Sequence, residues 1–171
     1  MKTAHIAYVF LSLSLCGCGG RGRNTAEISG LEKMGKVNVL YVSIAETMKL
    51  QSKSGRTWQN WLVRGGAFYQ IDLKKVNREY LEKGEISMPE PVVYPVANME
   101  KTKPIAAGTD PGITDKAFNK MTTQVSTEAT KIVEKAALNE EYMKIAKGQA
   151  EEVMKKMLGR DEIRITWNRG E

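Results

Sequence analysis

The sequence predicts an α+β fold: a small, mostly antiparallel sheet packed against two long C-terminal helices, with a closing C-terminal strand. Three observations carry this reading. Residues 37–73 are crowded with β-branched and aromatic side chains. From about residue 115 to 158, apolar residues recur at three- and four-residue spacing, as on one face of a helix. A short alternating run, Ile163–Trp167, follows. Strands early, helices late and one returning strand give a segregated order, which suits helices covering one side of an antiparallel sheet.

The chain opens on a targeting segment. Lys2 supplies a positive start, and Ile6 to Leu15 is apolar apart from two serines. Ten residues at 1.5 Å per residue cover about half of a 30 Å hydrocarbon core, too little to span it. The segment ends in Leu15-Cys16-Gly17-Cys18, which resembles the lipobox of bacterial lipoproteins. Two cysteines compete for the lipid. Cys16 follows the bulky Leu15, whereas Cys18 follows Gly17, a small residue of the kind the cleavage position requires. Cys18 is therefore the expected lipid attachment site, with Cys16 itself a departure from the usual small residue two places earlier. The domain reading is a lipoprotein signal peptide over 1–17, a lipidated tether and short helix over 18–36, and a single α+β domain over 37–171.

The elements follow in order. Gly19 to Thr25 is a basic, flexible tether, and Ala26–Met34 can form a short helix with Ile28, Leu31 and Met34 on one side. Val37–Leu50 is the first strand, and Gln51 to Arg56 is a polar turn. Thr57–Leu73 is the second strand, and the two are most simply a hairpin. Gly65-Gly66 within it suggests a bulge, a bend or a break. Lys74–Lys83 has room for one or two helical turns closed by Gly84, and Glu85–Met88 is a brief strand stopped by Pro89 and Pro91. Residues 92–113 carry Pro95, Pro104 and Pro111, and are read as a crossing loop with one helical turn near Val96–Met99. Thr114 or Asp115 can cap a helix to about Leu138, with Ala117, Met121, Ala129, Ile132, Val133 and Ala136 inward. Asn139 before Glu140 and Glu141 marks a second helix start. Its stripe runs through Met143, Ala146, Ala150, Val153, Met154 and Met157 to Leu158, and Gly159 is its C-cap. Ile163–Trp167 is expected to return to the sheet.

Composition removes several mechanisms. Processing at Cys18 takes away Lys2, His5 and Cys16, leaving no histidine and no free thiol. No Ser-His-Asp triad, Cys-His dyad, thiol redox pair or Cys/His zinc site can then be built. No P-loop, dinucleotide fingerprint or EF-hand loop is present, so no cofactor and no metal is expected. Asp72, Glu79, Glu82, Glu85 and Glu90 cluster in sequence and are the residues a carboxylate-based cell-wall glycan hydrolase could use. Nothing in the sequence places two of them at a defined separation, and Asp72 before Leu73-Lys74-Lys75 reads as a cap for the next turn. A non-enzymatic role is favoured.

Several motifs together resemble an uncharacterised bacterial family, the domain of unknown function numbered forty-two thirty. They are Tyr69-Gln70-Ile71-Asp72-Leu73, similar to an aromatic-x-apolar-Asp-Leu pattern, and Ile86-Ser87-Met88-Pro89-Glu90-Pro91, similar to an apolar strand ending in Leu-Pro-x-Pro, with Met88 in place of the usual Leu. Glu128-Ala129, Ala136-Ala137-Leu138, Ala146, Ala150 and Leu158-Gly159 extend the likeness through the helices, so that it spans roughly residues 30–167. The resemblance implies a domain carried after an N-terminal membrane segment. It implies no activity and no site residues.

These readings converge on a lipid-anchored protein of the bacterial cell envelope, facing the periplasm or the exterior, with palmitate among its acyl chains. Its folded part is expected to be a binding or scaffolding module for an unknown envelope protein, with no nucleic-acid partner. The anionic membrane surface is a second expected partner. Residues 19–64 hold eight Lys/Arg against three Asp/Glu, whereas 65–110 hold six against seven and 111–171 eleven against ten. The basic excess therefore lies beside the lipid. A tether of about eighteen residues spans on the order of 20–25 Å as a random coil and keeps this region near the headgroups.

Overall fold

The computed structural model describes residues 5–6, 35–77, 81–109 and 115–168. Cys16, Cys18, the tether, the helix expected at Ala26–Met34, and Glu79 lie outside the described residues. The strands are β1 (His5–Ile6), β2 (Lys36–Gln51), β3 (Thr57–Asp72), β4 (Glu85–Pro89), β5 (Val92–Ala97), β6 (Lys103–Thr109) and β7 (Arg164–Asn168). Two 3₁₀ turns, Leu73–Lys75 and Leu81–Lys83, precede β4; helices α1 (Asp115–Ala137) and α2 (Glu140–Leu158) precede β7. The fold is α+β, with a mostly antiparallel sheet, two C-terminal helices and a C-terminal strand.

In the larger sheet the order is β1-β2-β3-β5, with β6 also bonded to β3. β1 pairs antiparallel with Val42 and Ser43 of β2, and it falls within the expected signal segment. The β2–β3 connection is a hairpin turn, closed by Ser52 N–H donating to Thr57 O at 2.9 Å. Gly55 there takes φ +74°, a left-handed value that its missing Cβ permits.

Two expectations are corrected. Residues 92–109 are not a crossing loop with a helical turn: they form β5 and β6. Pro95 and Pro104 do not prevent this, because both strands border β3 on one side only, and an edge position asks for no N–H on its open side. The closing strand does not return to the larger sheet. β7 pairs parallel with β4, Glu85 opposite Arg164 through Pro89 opposite Asn168, in a separate two-stranded sheet.

The described chain divides into two compact units. Of the described residues, the first takes 5–6, 41–67, 94–109 and 115–139; the second takes 35–40, 68–77, 81–93 and 140–168. In the first, β2 buries Val42, Ile44, Met48 and Leu50, β3 buries Thr57, Gln59, Val63 and Ala67, and α1 buries Met121, Val125, Ala129, Val133 and Ala137. Spacing of four along α1 gives one narrow inward stripe, and the other positions from Phe118 on are half-buried or exposed. Gln59 is 1% exposed yet satisfied: its Nε2 donates to Phe118 O and Thr122 Oγ1, and its Oε1 accepts from Trp61 Nε1 at 3.0 Å. A buried amide tied this way holds α1 in register on β3.

β3 runs unbroken through Gly65-Gly66. A Cβ on Gly65 would stand 2.7 Å from Val133 Cγ2 and 2.8 Å from Val96 O, so glycine is what lets α1 approach the strand. Gly66, on the opposite face, lies under the Tyr41 ring. Gly65→Ala is expected to lower unfolding stability by about 2 kcal/mol in urea titration, because the new methyl meets backbone as well as a side chain. Val133→Ala in the same chain should restore only part of the loss, since the Val96 carbonyl cannot withdraw.

The second unit has its own core. Ile71, Leu73, Val76, Leu81, Ile86, Met88, Ala150, Met154, Leu158 and Ile163 form one buried cluster, with Val37, Val39, Met157, Ile165 and Trp167 packed against it. The α2 stripe is narrower than the periodicity predicts, with Ala146, Ala150, Met154 and Leu158 buried and Met143, Val153 and Met157 half-buried; Gly159 ends the helix at φ +60° with Arg160 N–H donating to Lys155 O at 3.1 Å.

Candidate functional site

The carboxylates picked out in the sequence are dispersed among structural contacts. Asp72 ends β3, and its Oδ1 accepts from Lys74 N–H at 3.1 Å, capping the Leu73–Lys75 turn as expected. Glu82 lies exposed in the Leu81–Lys83 turn. Glu85 on β4 meets Arg164 on β7 at 3.3 Å, an exposed pair that follows from the parallel register of the two strands. Such a pair contributes little to stability.

Glu90 has the richest surroundings. Its Oε1 accepts from Lys147 Nζ at 2.7 Å, with the two side chains 36% and 27% exposed. The same ammonium stands 5.4 Å from the centroid of the Trp167 ring, and Trp167 Nε1 donates to Glu151 Oε1 at 3.1 Å. α2 supplies Lys147 and Glu151 one turn apart, β7 supplies Trp167, and Glu90 follows β4. Glu90 N–H also donates to Asn168 O at 3.2 Å. The cluster is a clasp: it fixes β7 against α2 through a cation held between a carboxylate and an indole face. Sequence reasoning found Glu90 but not its partners, which lie 57 and 77 positions further along. The i,i+4 pair Lys147/Glu151 and the lone tryptophan of the closing strand were the available signals.

For acid–base chemistry on a glycoside, two carboxylates must face one scissile bond. Here Asp72 is engaged by a backbone amide, Glu85 and Glu90 by cations, and Glu151 by an indole N–H. Tyr69, fully buried on β3, has its phenol pushed up to about 12, by burial first and by Tyr142 second. Among the described residues, no group of three or more His, Cys, Asp or Glu is placed to hold a metal ion.

A second feature lies in the first unit, where sequence reasoning expected only a loop. The turn between β5 and β6 is pinned to β3 at one residue: Asn98 N–H donates to Arg64 O at 2.8 Å, and Arg64 N–H donates to Thr102 Oγ1 at 3.2 Å. Within the turn, Thr102 Oγ1 donates to Asn98 O at 2.8 Å, and Asn98 Oδ1 accepts from Lys101 N–H at 3.0 Å. Thr102 is 7% exposed and Asn98 half-buried, so the turn is seated while Met99, Glu100 and Lys101 project. Tyr94, Val96, Met99 and Ile105 are four of the eight large hydrophobics exposed among the described residues. Ile105 is the extra residue of a bulge, since Ala106 pairs with Asn60 and Pro104 with Trp61; it is 57% exposed.

Charge separates the two units. Among the described residues the first unit holds ten Lys/Arg against five Asp/Glu, and the second holds ten against ten. No helix among the described residues is long and apolar enough to cross a membrane. Comparison with protein-family models, with curated proteins and with solved structures finds no match to this chain.

Proposed function

We propose that the chain is a lipid-anchored protein of the bacterial cell envelope, acylated on Cys18, whose folded part serves as a binding or scaffolding module. The observation that carries this is Leu15-Cys16-Gly17-Cys18 at the end of an apolar run that is too short to span a bilayer and follows Lys2. The engagement of Asp72, Glu85 and Glu90 in capping and ion pairs favours a binding role over carboxylate catalysis. Two lipid signals suffice for stable attachment, so a multiply acylated Cys18 holds the module at the bilayer near-permanently.

The test is metabolic labelling with palmitate. Wild-type chain is expected to incorporate label, and Cys18→Ala to lose it. Label kept in Cys18→Ala but lost in Cys16→Ala would move the anchor to Cys16, and no label in wild type would remove the reading.

A further inference from the structure

We infer that the β5–β6 turn of the first unit is a second membrane contact, which seats the module on an anionic lipid surface; the inference rests on the reading of the chain as lipid-anchored. Its apolar component is Tyr94, Val96, Met99 and Ile105, exposed within twelve residues of sequence. A concentration of this kind at a strand edge has a function more often than scattered surface leucines do. Val96 and Ile105 are more than half exposed, and Ile105 is turned out by a bulge instead of being drawn into the pairing with β3.

Charge selects the occupant. Lys101 and Lys103, both exposed, lie between Met99 and Ile105, with Glu100 the one carboxylate of the turn. Neither lysine makes an ion pair among the described residues. The whole net positive charge of the described chain lies in this unit, five Lys/Arg in excess, while the other unit balances to zero. Aliphatic side chains, a tyrosine and lysines together are the composition that settles at the headgroup boundary, where the ring and methyls enter the acyl edge and the ammonium groups stay with the phosphates. An apolar protein surface would be matched by Val96 and Ile105 alone, and would gain nothing from unpaired lysines that it had to desolvate.

The turn is also built to hold its shape. Five hydrogen bonds join Asn98, Lys101, Thr102 and Arg64, so insertion orders no loop. A preorganised element of this size docks shallowly and reversibly, which is what a module already held by acyl chains requires.

The test places a polarity-sensitive fluorophore at single cysteines introduced by Val96→Cys, Ile105→Cys and, as a control on the exposed side of α1, Lys131→Cys. The acylated, processed chain is reconstituted in vesicles containing phosphatidylglycerol. Emission from positions 96 and 105 should shift to the blue and be quenched by nitroxide-bearing lipids, with position 131 unchanged. Lys101→Gln/Lys103→Gln should reduce the docked fraction about tenfold, as should raising the salt. Solvent-like emission at 96 and 105 in chain that carries palmitate overturns the proposal and leaves the anchor standing. A blue shift that grows with protein concentration without vesicles overturns it also, and assigns the surface to a second copy. If palmitate is absent but the probes respond when chain is added to anionic vesicles from solution, the anchor falls and the surface stands.

Discussion

Met154→Ala is expected to lower the free energy of unfolding by about 3–4 kcal/mol, and Met154→Leu to cost less than about 1.5 kcal/mol. Met154, on α2, is 1% exposed and belongs to the second unit's buried cluster together with Ile71 of β3 and Ile86 and Met88 of β4. Alanine there removes the transfer energy of the lost atoms and leaves a cavity that strands and helix cannot both close. Leucine keeps the volume. Urea denaturation followed by tryptophan fluorescence reads both variants. A loss for alanine no larger than that for leucine would mean that the cluster collapses around the gap and is looser than its burial implies.

Tyr69 makes the protein sensitive to alkali in a defined window. The unfolded phenol loses its proton near pH 10, whereas the folded one retains it to about 12. A folded-state pKa raised above the unfolded one gives a contribution fully present below pH 10 and lost as pH rises through about 12. Full loss amounts to about 3 kcal/mol. Tyr69→Phe should therefore flatten the fall in stability between pH 10 and 12 relative to wild type. The difference between the two curves isolates this group from the lysines that titrate in the same range. Parallel curves would show that the phenol ionises in place.

What could be read in the sequence was what neighbours in sequence decide. The hairpin over residues 36–72, the α2 stripe, the Gly159 cap and the cap at Asp72 each rest on side chains within a few positions of one another. α1 was legible as a helix, but its inward face was drawn too wide: Ile132 and Ala136 are half-buried, while Val125 and Ala137 complete a stripe spaced by four. β5 and β6 were hidden by prolines, which argue against a strand only where a ladder needs their N–H. The clasp around Glu90 was out of reach, because Lys147 and Trp167 join it only once helix and strand have been brought together. The same holds for the β4–β7 pairing, since nothing in Ile163–Trp167 states which strand it will join or in which direction.

That pairing has a consequence for how the protein comes into being. β4 and β7 are separated by 79 positions, and Ile163 and Ile165 belong to the core that covers Ile86 and Met88. A chain emerging N-terminus first, from the ribosome or through an export channel, delivers every segment of the first unit before it delivers β7. The second unit cannot close at that stage, however quickly the first one folds. Loop closure over so many residues is slow, and the apolar edge of β4 remains open to solvent while it proceeds. The interval in which this chain is most exposed to proteases and most in need of a holding chaperone is therefore set by the arrival of its last strand.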